Sequence, residues 1–154
     1  MALLSAYLIA ASAIIVFCLG TLHLVLTFRG NKFWPRDTTL KTTLESAQIH
    51  LTPQSTFWKA WICFNATHSL GAMFFGAVYA YLSLFAMTFL FQSYFLISLG
   101  FVTLICYAFF VGRTGFSTPF RGILLAMLCY TGGLVSFFCA FPEYGTDFLA
   151  QIPR

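Results

Sequence analysis

The fold class this sequence predicts is an all-α bundle of four transmembrane helices, up-down-up-down, with a short amphipathic helix in its first loop. Two properties of the chain predict it. The first is composition: of 154 residues, 60% are hydrophobic, 19% aromatic and only 8% charged, against roughly 25% charged in soluble domains. A water-soluble core of this size could not hide so much apolar surface. The second is segregation: residues 1–28, 60–112 and 122–142 contain no Asp, Glu, Lys or Arg. A bilayer-spanning helix needs about 20 apolar residues, so the outer stretches hold one span each and the middle one holds two. A transmembrane β-barrel is excluded, because its strands need apolar/polar alternation and runs such as Ala72-Met73-Phe74-Phe75 show none. Helices then remain as the way to satisfy the backbone in lipid. The chain is read as one membrane domain, 1–154.

The first span covers residues 4–28. It lacks the basic start of a secretory signal and its apolar run is too long for one, so an uncleaved span is expected. Ser5, Ser12, Gly20, His23 and Thr27 recur along it at helical spacing, the pattern of a face packed against other helices.

Residues 29–55 form the one long polar segment. Asp37 is placed to cap a helix there, with Leu40, Leu44, Ala47 and Leu51 on one face and Lys41 paired with Glu45 one turn on. Such a helix either lies on the membrane surface or stands in solvent.

The second span covers 56–83, with Ser55 or Thr56 as its cap and Trp58 and Trp61 at the interface, where indole rings prefer to sit. Trp61, Asn65, His68, Ala72, Gly76 and Tyr79 make its less apolar seam. A turn near 85–92 leads to the third span, 91–111, whose polar and small face is Ser93, Gly100, Thr103 and Tyr107. The fourth span, 119–141, opens with Pro119 in its first turn and carries Gly122, Ala126, Cys129, Gly133, Ser136 and Ala140 on one stripe. The tail beyond 142 is short, polar and expected at the interface.

Arg29, Lys32, Arg36, Lys41, Lys59, Arg113 and Arg121 fall on one side of this topology and Arg154 alone on the other. That asymmetry predicts both termini facing away from the cytoplasm. It also puts the Asn65-Ala66-Thr67 sequon inside the membrane, beyond the reach of glycosylation. The five cysteines, Cys18, Cys63, Cys106, Cys129 and Cys139, form no Cys-x-x-Cys pair and read as buried apolar thiols without redox or metal function.

The chemistry concentrates in three side chains. His23 lies six residues before Arg29 and Asn65 six after Lys59, which at 1.5 Å per residue sets both about 9 Å into the membrane, with His68 at about 13 to 14 Å. Neighbouring first and second spans would join them in one cluster. As structure, the cluster is an interhelical hydrogen bond contributing about 0.6 to 2 kcal/mol. As function, His23, Trp61, Asn65, His68 and Tyr79 line a site for a quinone, a lipid or another hydrophobic molecule. The alternative is a b-type haem with His23 and His68 as axial ligands and Gly20 and Gly71 leaving room for the ring. No span holds a carboxylate, which disfavours hydrolysis and proton-coupled transport. A non-enzymatic protein is therefore the expectation, with no cofactor other than a haem b or a quinone. The expected partners are the lipid bilayer and a larger membrane complex to which this chain is an accessory subunit; no nucleic acid is expected.

Leu22-His23, Asn31-Lys32-Phe33 with Pro35-Arg36-Asp37, Trp61 followed by Phe64-Asn65-Ala66-Thr67-His68-Ser69-Leu70-Gly71, and Arg121-Gly122-Ile123-Leu124 together resemble an uncharacterised family of small four-span bacterial inner-membrane proteins. The resemblance covers most of the chain. It implies a bacterial inner-membrane location and His23, Asn65 and His68 as the marked positions, and it implies no activity.

Overall fold

A computed structural model describes residues 2–142. In chain order it contains α1 (Ala2–Phe28), α2 (Thr38–Ser46), β1 (Gln48–Ile49), β2 (Thr52–Thr56), α3 (Phe57–Phe85), α4 (Met87–Gln92), α5 (Tyr94–Arg113) and α6 (Ser117–Ala140). Four of these, α1, α3, α5 and α6, are long and apolar enough to cross a membrane. Among the described residues the fold is all-α apart from one small hairpin, and the four long helices form an up-down-up-down bundle. The expected tail falls on residues 143–154, outside the described residues.

The described chain divides into two compact units, and α1 and α3 run through both. One unit comprises the residues up to Phe17 together with those from Phe74 onward; the other is Cys18–Met73.

In the first unit α1, α3, α5 and α6 pack around a core that includes Ile9, Tyr79, Leu104, Ala126, Tyr130 and Phe137. Small residues decide how closely the helices approach, since lipid supplies no hydrophobic drive and close van der Waals contact must replace it. A Cβ on Gly76 would lie 2.6 Å from the Ala13 carbonyl oxygen, and one on Gly133 would lie 2.7 Å from the Ile9 side chain. On α6 the buried stripe is Ile123, Ala126, Tyr130, Gly133 and Phe137. Of the small residues expected to form it, Ala126 and Gly133 do; the large rings share the stripe with them. Tyr79 and Tyr130 donate their hydroxyls to the neighbouring carbonyls of Leu96 (2.6 Å) and Ile97 (3.0 Å) on α5. Both buried hydroxyls are thus satisfied.

The turn expected near 85–92 is a short helix instead. The sequence there is apolar, so α4 buries Leu90 and Phe91, and Phe91 stacks on Phe137 with ring centroids 3.8 Å apart. The third span consequently starts at Tyr94. Ser93, expected on its inner face, is its N-cap and accepts from the Leu96 amide at 3.3 Å.

In the second unit Asp37 caps α2, its carboxylate accepting from the Thr39 amide (2.8 Å) and hydroxyl (2.6 Å). Those two bonds hold its pKa below the usual carboxylate value. Lys41 and Glu45 pair at 3.0 Å, as their spacing predicts. The helix does not extend to Leu51, however. It ends at Ser46, whose hydroxyl bonds back to the Thr42 and Thr43 carbonyls, and β1 and β2 then pair antiparallel. Leu51 sits in their turn, 91% exposed, and α2 buries none of its residues. Thr56 faces the first turn of α3, its hydroxyl 3.4 Å from the Lys59 amide.

The cysteines correct another expectation. Cys18, Cys63, Cys106 and Cys139 are exposed and Cys129 is half-buried, all as free thiols. They occupy outward faces, where in a membrane an apolar thiol is at no disadvantage.

Candidate functional site

Within the second unit α1 and α3 pair closely because Gly20 lets them. A Cβ there would lie 2.9 Å from the Ser69 carbonyl oxygen and 3.0 Å from the Ala72 Cβ. One turn further along α1, His23 meets Asn65. The amide is held from both ends: Nδ2 donates to the Trp61 carbonyl at 2.8 Å, and Oδ1 faces Nε2 of His23 at 3.0 Å. Because Oδ1 can only accept, Nε2 of His23 is the donor in this bond. Asn65 is 4% exposed, so a fully bonded amide is what the apolar surroundings require.

The cluster has a fourth member that the spacing did not announce. Gly30, at φ +90, and a turn in which the Trp34 amide donates to the Asn31 carbonyl at 3.1 Å fold the chain back at the end of α1. Phe33 thereby lies over His23, with ring centroids 4.6 Å apart. The available signal was the aromatic pair Phe33-Trp34 standing between the charged residues Lys32 and Arg36.

His68 is near His23 but differently exposed. Its ring meets that of His23 edge-on at 5.7 Å and runs nearly parallel to that of Phe64, 12° apart in plane at 6.1 Å. It is an exposed residue, contrary to the buried position expected for it. The helical repeat explains this: a step of three residues from Asn65 leaves the face by about 60°, whereas a step of four leaves it by about 40° the other way. Ser69 takes the inner position, fully buried, with its hydroxyl donated to the Asn65 carbonyl at 2.7 Å.

Two further expected residues stand apart from the pair. Trp61 contributes its carbonyl, while the residue is 44% exposed. Tyr79 lies about four turns further along α3, where it bonds Leu96 and faces Tyr130. The haem reading loses its supposed room at Gly20, which Ser69 and Ala72 fill, and keeps it at Gly71, where a Cβ would meet nothing within 4 Å. Axial ligation through Nε2 of His23 would also have to displace Asn65. The chemical capacity of the arrangement is a half-buried His23 bonded to a buried Asn65, beside an exposed His68 flanked by an aromatic ring.

Comparison of the chain with protein-family models, with curated proteins and with solved structures returned no match.

Proposed function

We propose that the chain is a non-catalytic protein of a bacterial inner membrane, with both termini on the periplasmic side, that binds a hydrophobic ligand with a hydrogen-bonding head, a quinone or a lipid, at His68. The observation that carries this reading is the exposure of His68 on a helix otherwise apolar enough to span a membrane. Ionisable side chains in spans are costly and mark function by default. His23 and Asn65 bond one another and already join the two helices. Phe64 on one side and the bare Gly71 on the other suit a flat or extended apolar body, with the imidazole meeting its polar head.

A second reading, an accessory subunit of a larger membrane complex, rests on a different observation. Phe57, Trp61, Phe64 and His68 are all exposed and recur at i, i+4, i+7 and i+11 of α3, one face presented to a further helix.

Purification in a mild detergent separates the readings. A stoichiometric hydrophobe extracted from the pure protein supports the ligand site, and a stoichiometric partner chain supports the subunit. A Soret band lost in both His23→Ala and His68→Ala would replace both with the haem reading.

A further inference from the structure

The second unit carries a charge imbalance that its own packing leaves open. Its cations are Arg29, Lys32, Arg36, Lys41 and Lys59, and the carboxylates among the described residues are Asp37 and Glu45. Both carboxylates are already engaged, Asp37 in capping α2 and Glu45 in holding Lys41. Arg29, Lys32, Arg36 and Lys59 are exposed and have no carboxylate within ion-pair distance among the described residues.

These four cations come from two separate segments, and a packed aromatic contact joins the segments. The Lys41 ammonium sits 3.9 Å from the Trp34 ring centre and 5.6 Å from that of Trp58, and the two indoles meet edge-on at 6.2 Å. Trp34 stands two residues before Arg36 and Trp58 one before Lys59. The contact therefore ties the 29–36 turn to the start of α3. Indole rings settle at the level of lipid headgroups, and that level is where an exposed guanidinium or ammonium meets phosphate.

We infer that this edge of the second unit, Arg29, Lys32, Arg36 and Lys59 held together by the Trp34–Lys41–Trp58 contact, binds the phosphate headgroups of anionic phospholipids. Each cation near an anionic surface adds attraction that falls off within a Debye length. A zwitterionic headgroup carries its own ammonium and offers no net attraction.

The test uses the full purified chain in detergent, titrated with phosphatidylglycerol, with phosphatidylcholine and with inorganic phosphate while the melting temperature is recorded. Phosphatidylglycerol should raise it and the other two should not. Replacing Arg29, Lys32, Arg36 and Lys59 together by Gln should weaken the apparent affinity by roughly tenfold or more, while Arg113→Gln with Arg121→Gln should leave it unchanged. If the quadruple variant fails to fold, the unaltered protein decides: the phosphatidylglycerol shift must shrink as salt is raised from about 0.05 to about 0.5 M. An equal shift from phosphatidylcholine, a shift from inorganic phosphate alone, an equal loss in the Arg113 and Arg121 variant, or insensitivity to salt would each overturn the inference.

Discussion

Nε2 of His23 and Oδ1 of Asn65 meet at 3.0 Å across 42 residues of sequence. Within the second unit this contact joins two long apolar helices that Gly20 already brings close. The amide is used at both ends, so losing His23 leaves the buried Asn65 oxygen without its bond, and losing Asn65 leaves the half-buried His23 ring without its own. His23→Ala and Asn65→Ala should each destabilise the purified protein by about 0.6 to 2 kcal/mol. Their effects should be non-additive in a double-mutant cycle read by thermal or denaturant unfolding. Additive losses would mean that the contact contributes nothing to stability.

The glycines divide by what surrounds them. Gly76→Ala would put a methyl 2.6 Å from the Ala13 carbonyl oxygen, which is backbone and cannot step aside. Overpacking of this kind costs about 1 to 3 kcal/mol. At Gly71 the same change meets nothing within 4 Å, and the better helix propensity of alanine should leave stability unchanged or raised by up to about 1 kcal/mol. Unfolding midpoints of the two variants check the contrast, and equal losses would contradict it.

Asp37 gives α2 a pH dependence. Its pKa is lowered from 3.8 chiefly by the side-chain bond to Thr39. A carboxyl depressed by folding stabilises fully above its unfolded value, and that contribution disappears as the pH falls through the folded one. Acidification through and below pH 3.8 should therefore loosen α2, and Lys41 with it. The fluorescence of Trp34, whose ring Lys41 covers, should report the change. Asp37→Ala should show the loosened signal already at neutral pH, and an acid transition identical in that variant would rule the cap out as its source.

The long helices were legible because apolar length and charge-free runs follow directly from what a bilayer demands. The His23–Asn65 meeting was legible too, since both residues lie six positions from a flanking charge and so at one depth. The position of His68 was not. Three-residue and four-residue steps both count as one face of a helix, and only packing shows that Ser69 takes the place of His68 on the seam with Asn65, Ala72, Gly76 and Tyr79. The β1–β2 hairpin was also missed, because Thr52-Pro53-Gln54-Ser55-Thr56 has no alternating apolar pattern and pairs at the edge of a polar loop. Tyr79 was drawn into the site by its place on the right seam, although four helical turns separate it from Asn65.

The central claim is that the exposed His68 meets a hydrophobic ligand while His23 and Asn65 hold helices together. Its most direct test is organic extraction and mass spectrometry of the purified protein and of His68→Ala, alongside their melting temperatures. The account predicts a stoichiometric quinone or lipid in the unaltered protein, lost in His68→Ala with the ligand-free melting temperature unchanged. Equal ligand content in both, or a variant that retains its ligand and loses only stability, would contradict it.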